Sequence, residues 1–578
     1  MRRVTLLLCL SLVLGALPSA AVSAVSSTEG LPDLDVIDPV RFSYDDAIRE
    51  RHLITGRDGL QTIAFDLIRP DTNEPVPTIM VSSPYYNTSG RYSYNADGEF
   101  EPMRKIPWGD PSNTAGPTTD FPEQYDEMFV PRGYAVLLHD LRGTRNSSGC
   151  QVYGHRTEAE DAVDVINWVA EQSWSNGAVG MIGGSYDGTI ANGAASMAPE
   201  ALKAIVPIRS IGRWYDYHHL NGVMSSSHLL TPASFTMLNQ AQDLQNSSAE
   251  DQLYPVHVIE RRACAAGIGP TVQAQYANPY SDSTGAFWTE RDYLSDAGNI
   301  TAATFLVHGL RDDNVKPAHA GQLWDALPAT TPKKLWWLRG GHDNPHNPEL
   351  EFPVNDAFDQ EVHRWFAQFL KGLDAGALDT APVVVQDEEG GLNPAGQWPV
   401  PGSDTELYLT SADVLSSDKP DDGTASVLSY SDTGSGGLRL EYTVPEDLHI
   451  SGQPYVTLHY SLPNGGDTTF ALLLRDLDTG LIVSRGYARA AYRDEINSRG
   501  VSHPSLPSPH LGGQPYEISF PFYPTDYAVA AGSTLELLVR ADDELVQGGG
   551  NGSTNILVGE SKLVLPVGIS RAEAAAGL

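Results

Sequence analysis

Short runs of apolar residues punctuate the first part of the chain: Thr62–Ile68, Thr78–Val81, Ala135–Leu138, Val179–Ile182 and Ala204–Val206. Most are apolar at successive positions, the mark of strands covered on both faces. Between them Val163, Ile166 and Val169 recur at helical spacing, and Thr157 with Glu160 has the order of a capping box. Pro207 is placed to end the last of these strands, because proline donates nothing to a ladder. Strands alternating with helices predict a doubly wound α/β domain. The rhythm lapses over 212–300, a polar, alanine-rich stretch holding the aromatic cluster Trp214–His219. It resumes at Thr304–Val307 and Leu335–Leu338 and closes on a helical pattern from Phe358 to Phe369. The interruption reads as a helical cap inserted into one α/β unit, whose parts are expected over 25–211 and 301–375.

After about residue 376 the pattern changes. Thr405–Thr410 and Gly437–Tyr442 alternate, Gly532–Leu538 adds a further strand, and Gly, Asp and Pro turns separate them. Many short strands without helical periods predict a β-sandwich, a jelly roll, over 376–578. A chain of 578 residues exceeds what one core holds, in keeping with this division.

Arg2 and Arg3 precede an apolar run to Leu17 and then small residues from Ser19 to Ala24, the order of a secretory signal peptide over 1–24. The run is shorter than the roughly 20 residues of a membrane span, and no later segment has that length of unbroken apolarity. A secreted, extracellular protein without integral membrane association is expected. With 37 Lys and Arg against 73 Asp and Glu, the net charge of −36 repels phosphate backbones and argues against nucleic acid as a partner. Cys9 would leave with the signal. Cys150 and Cys264 remain, and an oxidising compartment permits a bridge that the spacing alone does not establish.

The sharpest local signal is Gly183-Gly184-Ser185-Tyr186-Asp187-Gly188, directly after an apolar strand. A nucleophile elbow needs small residues around a strand-to-helix turn that lifts the serine Oγ above the sheet edge. The common pattern has glycine two residues after the serine; here Asp187 stands there and Gly188 follows. Such a fold supplies its acid and then its histidine later in the chain, at the carboxyl ends of strands. Asp312, after Thr304–Val307, and His342, after Leu335–Leu338, fill those places. Asp313 is the close rival of Asp312, and His308 and His346 are rivals of His342. Tyr85 and Tyr86 follow another strand end, so that a tyrosine hydroxyl there and the Tyr186 N–H would face a developing oxyanion. Asp140-Leu141-Arg142-Gly143 is suited to bracing an adjacent loop through an Arg–carboxylate pair. No metal or cofactor fingerprint is visible, and this chemistry needs neither.

These motifs resemble those of the X-prolyl dipeptidyl-peptidase, cocaine esterase and α-amino-acid ester hydrolase family, and look most like its X-prolyl dipeptidyl-peptidase branch. The resemblance rests on Ser83-Pro84-Tyr85, Asp140–Thr144, Glu158–Asp161, Trp174–Gly177, Gly184–Gly188, His308–Asp312 and Gly341-His342. Leu407-Tyr408-Leu409, followed by Leu415-Ser416-Ser417, resembles the family's C-terminal β domain. It implies an α/β-hydrolase with an inserted helical cap and a C-terminal all-β jelly-roll domain. Carried over by position, Ser185 is the nucleophile, Asp312 the acid, His342 the base, and Tyr85 with the Tyr186 N–H the oxyanion hole. Asp187 departs from the leucine usual after Ser-Tyr, and the long helical N-terminal extension of some members is missing.

The activity implied is release of X-Pro dipeptides from free N-termini through an acyl-enzyme. The alternatives are a carboxylic-ester or α-amino-acid ester hydrolase with the same triad, and an extracellular carbohydrate-binding protein built on the sandwich. Substrates are expected to be peptides or small esters and amides. Trp214, Tyr215 and Tyr217 are candidate pocket walls, and Asp187, Asp216, Glu158 or Glu160 could anchor an ammonium.

Overall fold

Apolar runs covered on both faces pair side by side, and here ten strands join one sheet. They are β1 (Ile48–Thr55), β2 (Thr62–Arg69), β3 (Val76–Ser83), β4 (Ala135–Asp140), β5 (Ser175–Gly184), β6 (Leu202–Ile208), β7 (Ala303–Gly309), β8 (Lys333–Leu338), β9 (Val383–Gln386) and β10 (Leu392–Ala395). The order is β1-β2-β4-β3-β5-β6-β7-β8-β9-β10. Neighbours from β4 to β9 run parallel, and β1, β2 and β10 pair antiparallel at the two sides. The computed structural model describes residues 30–85, 93–94, 100–101, 125–226, 228, 231, 263–264, 266–278, 280–347, 350–420, 426–432, 436–496, 504–546, 548–550 and 552–578. The signal expected over 1–24 and Tyr86 lie outside them.

The central strands are apolar at every position because each face has its own cover. Met80 and Leu137 pack with Val163, Ile166 and Ile190 on one side. Ile79, Val81, Val136 and Leu138 pack with Phe358, Val362 and Trp365 on the other. The first group draws on α1 (Arg156–Ala170) and α2 (Tyr186–Ser196), the second on the long helix Asn355–Lys371. Two local expectations are corrected. The N-cap of α1 is His155, whose side chain accepts from the Thr157 N–H, so Thr157 sits inside the first turn. Strand β6 also continues through Pro207 to Ile208: Pro207 lies opposite Gly183, while the ladder to β7 registers at Ala204, Ile205 and Ile208. The sheet itself extends beyond residue 375, since β9 and β10 complete its edge.

In the interrupting segment, α3 (Trp214–His218), a two-residue hairpin (His219–Leu220 with Val223–Met224) and α4 (Gly269–Tyr276) are described. Cys150, in the loop after β4, is disulfide-bonded to Cys264 at a Cα separation of 5.6 Å, tying this segment to the sheet. Beyond β10, two antiparallel sheets of nine and four strands enclose a core that includes Leu440, Leu458, Tyr460, Phe470 and Leu537. This sandwich grips the cap: Asn221 Nδ2 donates to the Tyr487 carbonyl at 2.9 Å, and the Arg489 N–H donates to the Asn221 carbonyl at 3.0 Å. No helix among the described residues is long and apolar enough to cross a membrane.

The disulfide closes a loop across a sequence separation of 114. Opening it is expected to lower stability by about 2–5 kcal/mol. Urea unfolding with and without reductant, repeated on a Cys150→Ser, Cys264→Ser double variant, measures this.

Candidate active site

Strand β5 ends at Gly184 and α2 begins at Tyr186, so a single residue makes the turn. That residue is Ser185, with φ +58° and ψ −121°, a conformation that costs a side-chain-bearing residue about 1–3 kcal/mol. Two features hold it there. The Ser185 N–H donates to the Ile208 carbonyl at 2.8 Å, continuing the β5–β6 ladder into the turn. A Cβ on Gly183 would fall 2.5 Å from Asp187 Cβ, so Asp187 takes the place usually kept for glycine because Gly183 leaves it room.

Asp312 lies on the loop after β7 and His342 on the loop after β8, two strands that pair in register from Thr304/Lys333 to Gly309/Leu338. His342 Nδ1 donates to Asp312 Oδ2 at 2.7 Å, and the side chain is 25% exposed while that of Asp312 is fully buried. The second oxygen, Asp312 Oδ1, accepts the N–H groups of Asn314 and Val315, each at 2.9 Å. The carboxylate is thus fixed by its own loop, and His342 Nε2 is left as the acceptor side of the ring. The rivals are engaged elsewhere. Asp313 is half exposed and faces Arg485 at 3.6 Å. His308 Nε2 donates to the Val315 carbonyl at 2.8 Å, and burial pulls its pKa down to about 4. His346 bonds the Tyr125 hydroxyl at 2.7 Å and pairs with Asp359.

Ser185 Oγ is engaged by Tyr85, whose hydroxyl also meets the Tyr186 backbone N–H; no hydrogen bond joins Ser185 to His342. Burial, and then the charge of Asp187, raise the Tyr85 pKa, so its hydroxyl keeps its proton and remains a donor. The Tyr186 ring points the other way. Its hydroxyl donates to Glu158 Oε2 at 2.7 Å and accepts the Gly154 N–H at 2.7 Å. Glu158 also accepts from Val152 and Gly154, and burial raises its pKa despite these bonds. Arg142 makes the bidentate pair foreseen for its loop, with both oxygens of Asp161 at 2.7 Å.

Trp214 and Tyr217 line the cavity at Ser185, together with Tyr85, Tyr186, His218 and Tyr276. Tyr215 does not. On a helix, positions 214, 217 and 218 share a face and 215 turns away; Tyr215 stacks on His219 at 4.8 Å and meets Trp288 edge-on. Nor does Asp187 line it: fully buried, it acts on the site through Tyr85. Asp216 pairs with Arg213 at 3.3 Å, and burial raises its pKa to about 6. His218 and Tyr276 escaped the sequence reading. His218 stood within the aromatic cluster, but Tyr276 has no motif around it.

A serine on a strand-to-helix elbow and an imidazole held by a carboxylate, at the carboxyl edge of a doubly wound sheet, are the parts with which α/β-hydrolases cleave acyl bonds, and the molecule falls in that class of serine hydrolases. Residues 58–344 match the model "X-Pro dipeptidyl-peptidase (S15 family)", and 375–573 match its C-terminal non-catalytic domain. Over an alignment of 584 positions the chain is 30% identical to a Bacillus cereus protein provisionally named Xaa-Pro dipeptidyl-peptidase, covering 91% of each. The chain belongs to the X-Pro dipeptidyl-peptidase (S15) family. Among solved structures it is similar in fold to a CocE/NonD family hydrolase from Staphylococcus aureus, with a TM-score of 0.71, 18% identity, and 90% and 94% of the two chains covered. A similar likeness holds for an α-amino acid ester hydrolase, with a TM-score of 0.67, 20% identity, and 91% and 97% covered.

Gly183→Ala forces Asp187 and the first turn of α2 to shift. It is expected to lower stability by about 1–3 kcal/mol and to abolish hydrolysis at temperatures where the variant stays folded. A thermal melt paired with a rate measurement checks both.

Proposed function

We propose that the protein is an exported serine peptidase that releases X-Pro dipeptides from the free N-terminus of peptides. Ser185 Oγ attacks the prolyl carbonyl while His342 Nε2 takes its proton, and Asp312 holds Nδ1–H and stabilises the imidazolium. The oxyanion meets the Tyr85 hydroxyl and the Tyr186 N–H, which leave their contact with each other to receive it. His342 then protonates the leaving amine, and water, activated by the same imidazole, hydrolyses the acyl-enzyme.

The observation that carries the reading is the aromatic wall beside Ser185. The ring centroids of Tyr186 and Trp214 are 5.0 Å apart, those of Trp214 and Tyr217 5.7 Å, and those of His218 and Tyr276 3.8 Å. Such faces suit a flat proline ring and attract an ammonium through cation–π interaction. The Bacillus cereus relative, covered nearly end to end, supports the same substrate class. The Cys150–Cys264 bridge supports export, since such bonds persist in oxidising compartments.

Ser185→Ala is expected to lose both hydrolysis and labelling by a fluorophosphonate probe, read by mass spectrometry; a label on another residue overturns the assignment. Tyr85→Phe is expected to lower kcat by about 10²–10³ with a smaller change in KM. Turnover of an X-Pro amide should fall sharply when its amine is acetylated. Equal rates on both would replace the peptidase reading by that of an ester or amide hydrolase indifferent to a free amine.

A further inference from the structure

A second cavity, of about 190 Å³, opens at the same sheet edge and shares no lining residue with the one at Ser185. Three arginines converge on it, each just past a strand end: Arg209 after β6, Arg311 after β7 and Arg339 after β8. Arg209 is only 2% exposed, has a φ of +45°, and its Nε and Nη1 are buried without a hydrogen-bond partner. Among the described residues neither Arg209 nor Arg311 forms an ion pair. Arg339 is buried, bonds Glu388 Oε1 at 3.2 Å and lies over the Tyr527 ring at 5.2 Å, leaving further N–H groups. The wall also holds two carboxylates. Asp343 is exposed and accepts the Gly341 N–H at 3.0 Å, and Glu351 is exposed. The lining thus carries three arginines against two carboxylates, and Glu388 behind Arg339 is shared with Arg571.

Burying a guanidinium without a partner is costly, and bidentate recognition of oxyanions is what its planar fork does best. We propose that this cavity is a binding site for a small oxyanion, a phosphate or a short carboxylate, held by Arg209, Arg311 and Arg339. The volume admits such an anion together with bound water. Arg209 also lies near enough to Asp312 to feel its charge, so an anion there would sit within electrostatic reach of the acid loop.

The test is calorimetric titration of the full chain with inorganic phosphate, and separately with acetate, at constant ionic strength so that general screening cancels. Saturable one-to-one binding is expected, weakened about tenfold or more by Arg311→Gln, with a thermal melt showing that this partly exposed substitution leaves the fold intact. Binding of phosphate alone, or of acetate as well, supports the site and separates its two ligand sources. No saturable heat from either anion up to about 20 mM, or affinity unchanged in Arg311→Gln, overturns it.

Discussion

The register of four adjacent parallel strands is the constraint on which everything else rests. The ladder of β5, β6, β7 and β8 does not stop at the strand ends: Ser185 N–H meets the Ile208 carbonyl, Arg209 N–H the Val307 carbonyl, and Leu310 N–H the Leu338 carbonyl. These bonds carry the sheet's order into the loops that hold Ser185 and Asp312, and the Arg311 N–H extends it to the loop that holds His342 by donating to the Gly340 carbonyl at 3.3 Å. A one-residue slip would set side chains fitted to one helix layer against the other and move the following loop by about 3.3 Å. Hydrophobic packing therefore fixes the register, and the register fixes where the chemistry stands.

A second layer of polar contacts stiffens this edge. Glu158 on α1 reaches the Tyr186 hydroxyl and two backbone N–H groups of the loop that follows Cys150. Arg142 grips Asp161 one turn further along the helix. Each carboxylate is buried and each has several donors, as a low-dielectric interior requires. Tyr186, whose backbone N–H is the candidate oxyanion donor, thus has its own ring anchored in the layer below.

Much of this was legible in the sequence because it depends on short-range pattern. Apolar runs located the six parallel strands from β3 to β8, the Gly-rich turn located the elbow, and chain order located Asp312 and His342. The misses have physical reasons. Strand β1 reads Ile-Arg-Glu-Arg-His-Leu-Ile-Thr, with the charges that edge strands carry, and shows no apolar run. Strands β9 and β10 are four residues each, too short to set a period. Tyr215 was grouped with Trp214 and Tyr217 because they are neighbours in sequence, whereas α3 spaces its faces by three and four. Tyr276 and the convergence of three arginines come from tertiary placement, which no local pattern records.

The same geometry couples the cap to the acid loop. Lys316 is buried, with its Nζ 3.0 Å from both the Tyr217 carbonyl and His228 Nδ1. Because the Asn314 Oδ1 only accepts, His228 carries its proton on Nε2, which donates to that oxygen at 2.8 Å. The Tyr217 hydroxyl donates to the same oxygen at 2.8 Å, and the Asn314 N–H donates to Asp312. Burial, and then the Lys316 charge, hold His228 neutral with a pKa of about 2, while burial brings Lys316 itself down to about 7 against the pull of Asp312 and Asp313. A pocket-wall tyrosine, a cap histidine and the loop of the candidate acid therefore share one hydrogen-bonded unit. Moving the cap breaks bonds in the dry interior beside Asp312, where each unmade bond costs about 1–3 kcal/mol. The shape of the aromatic cavity and the alignment of the imidazole are set together.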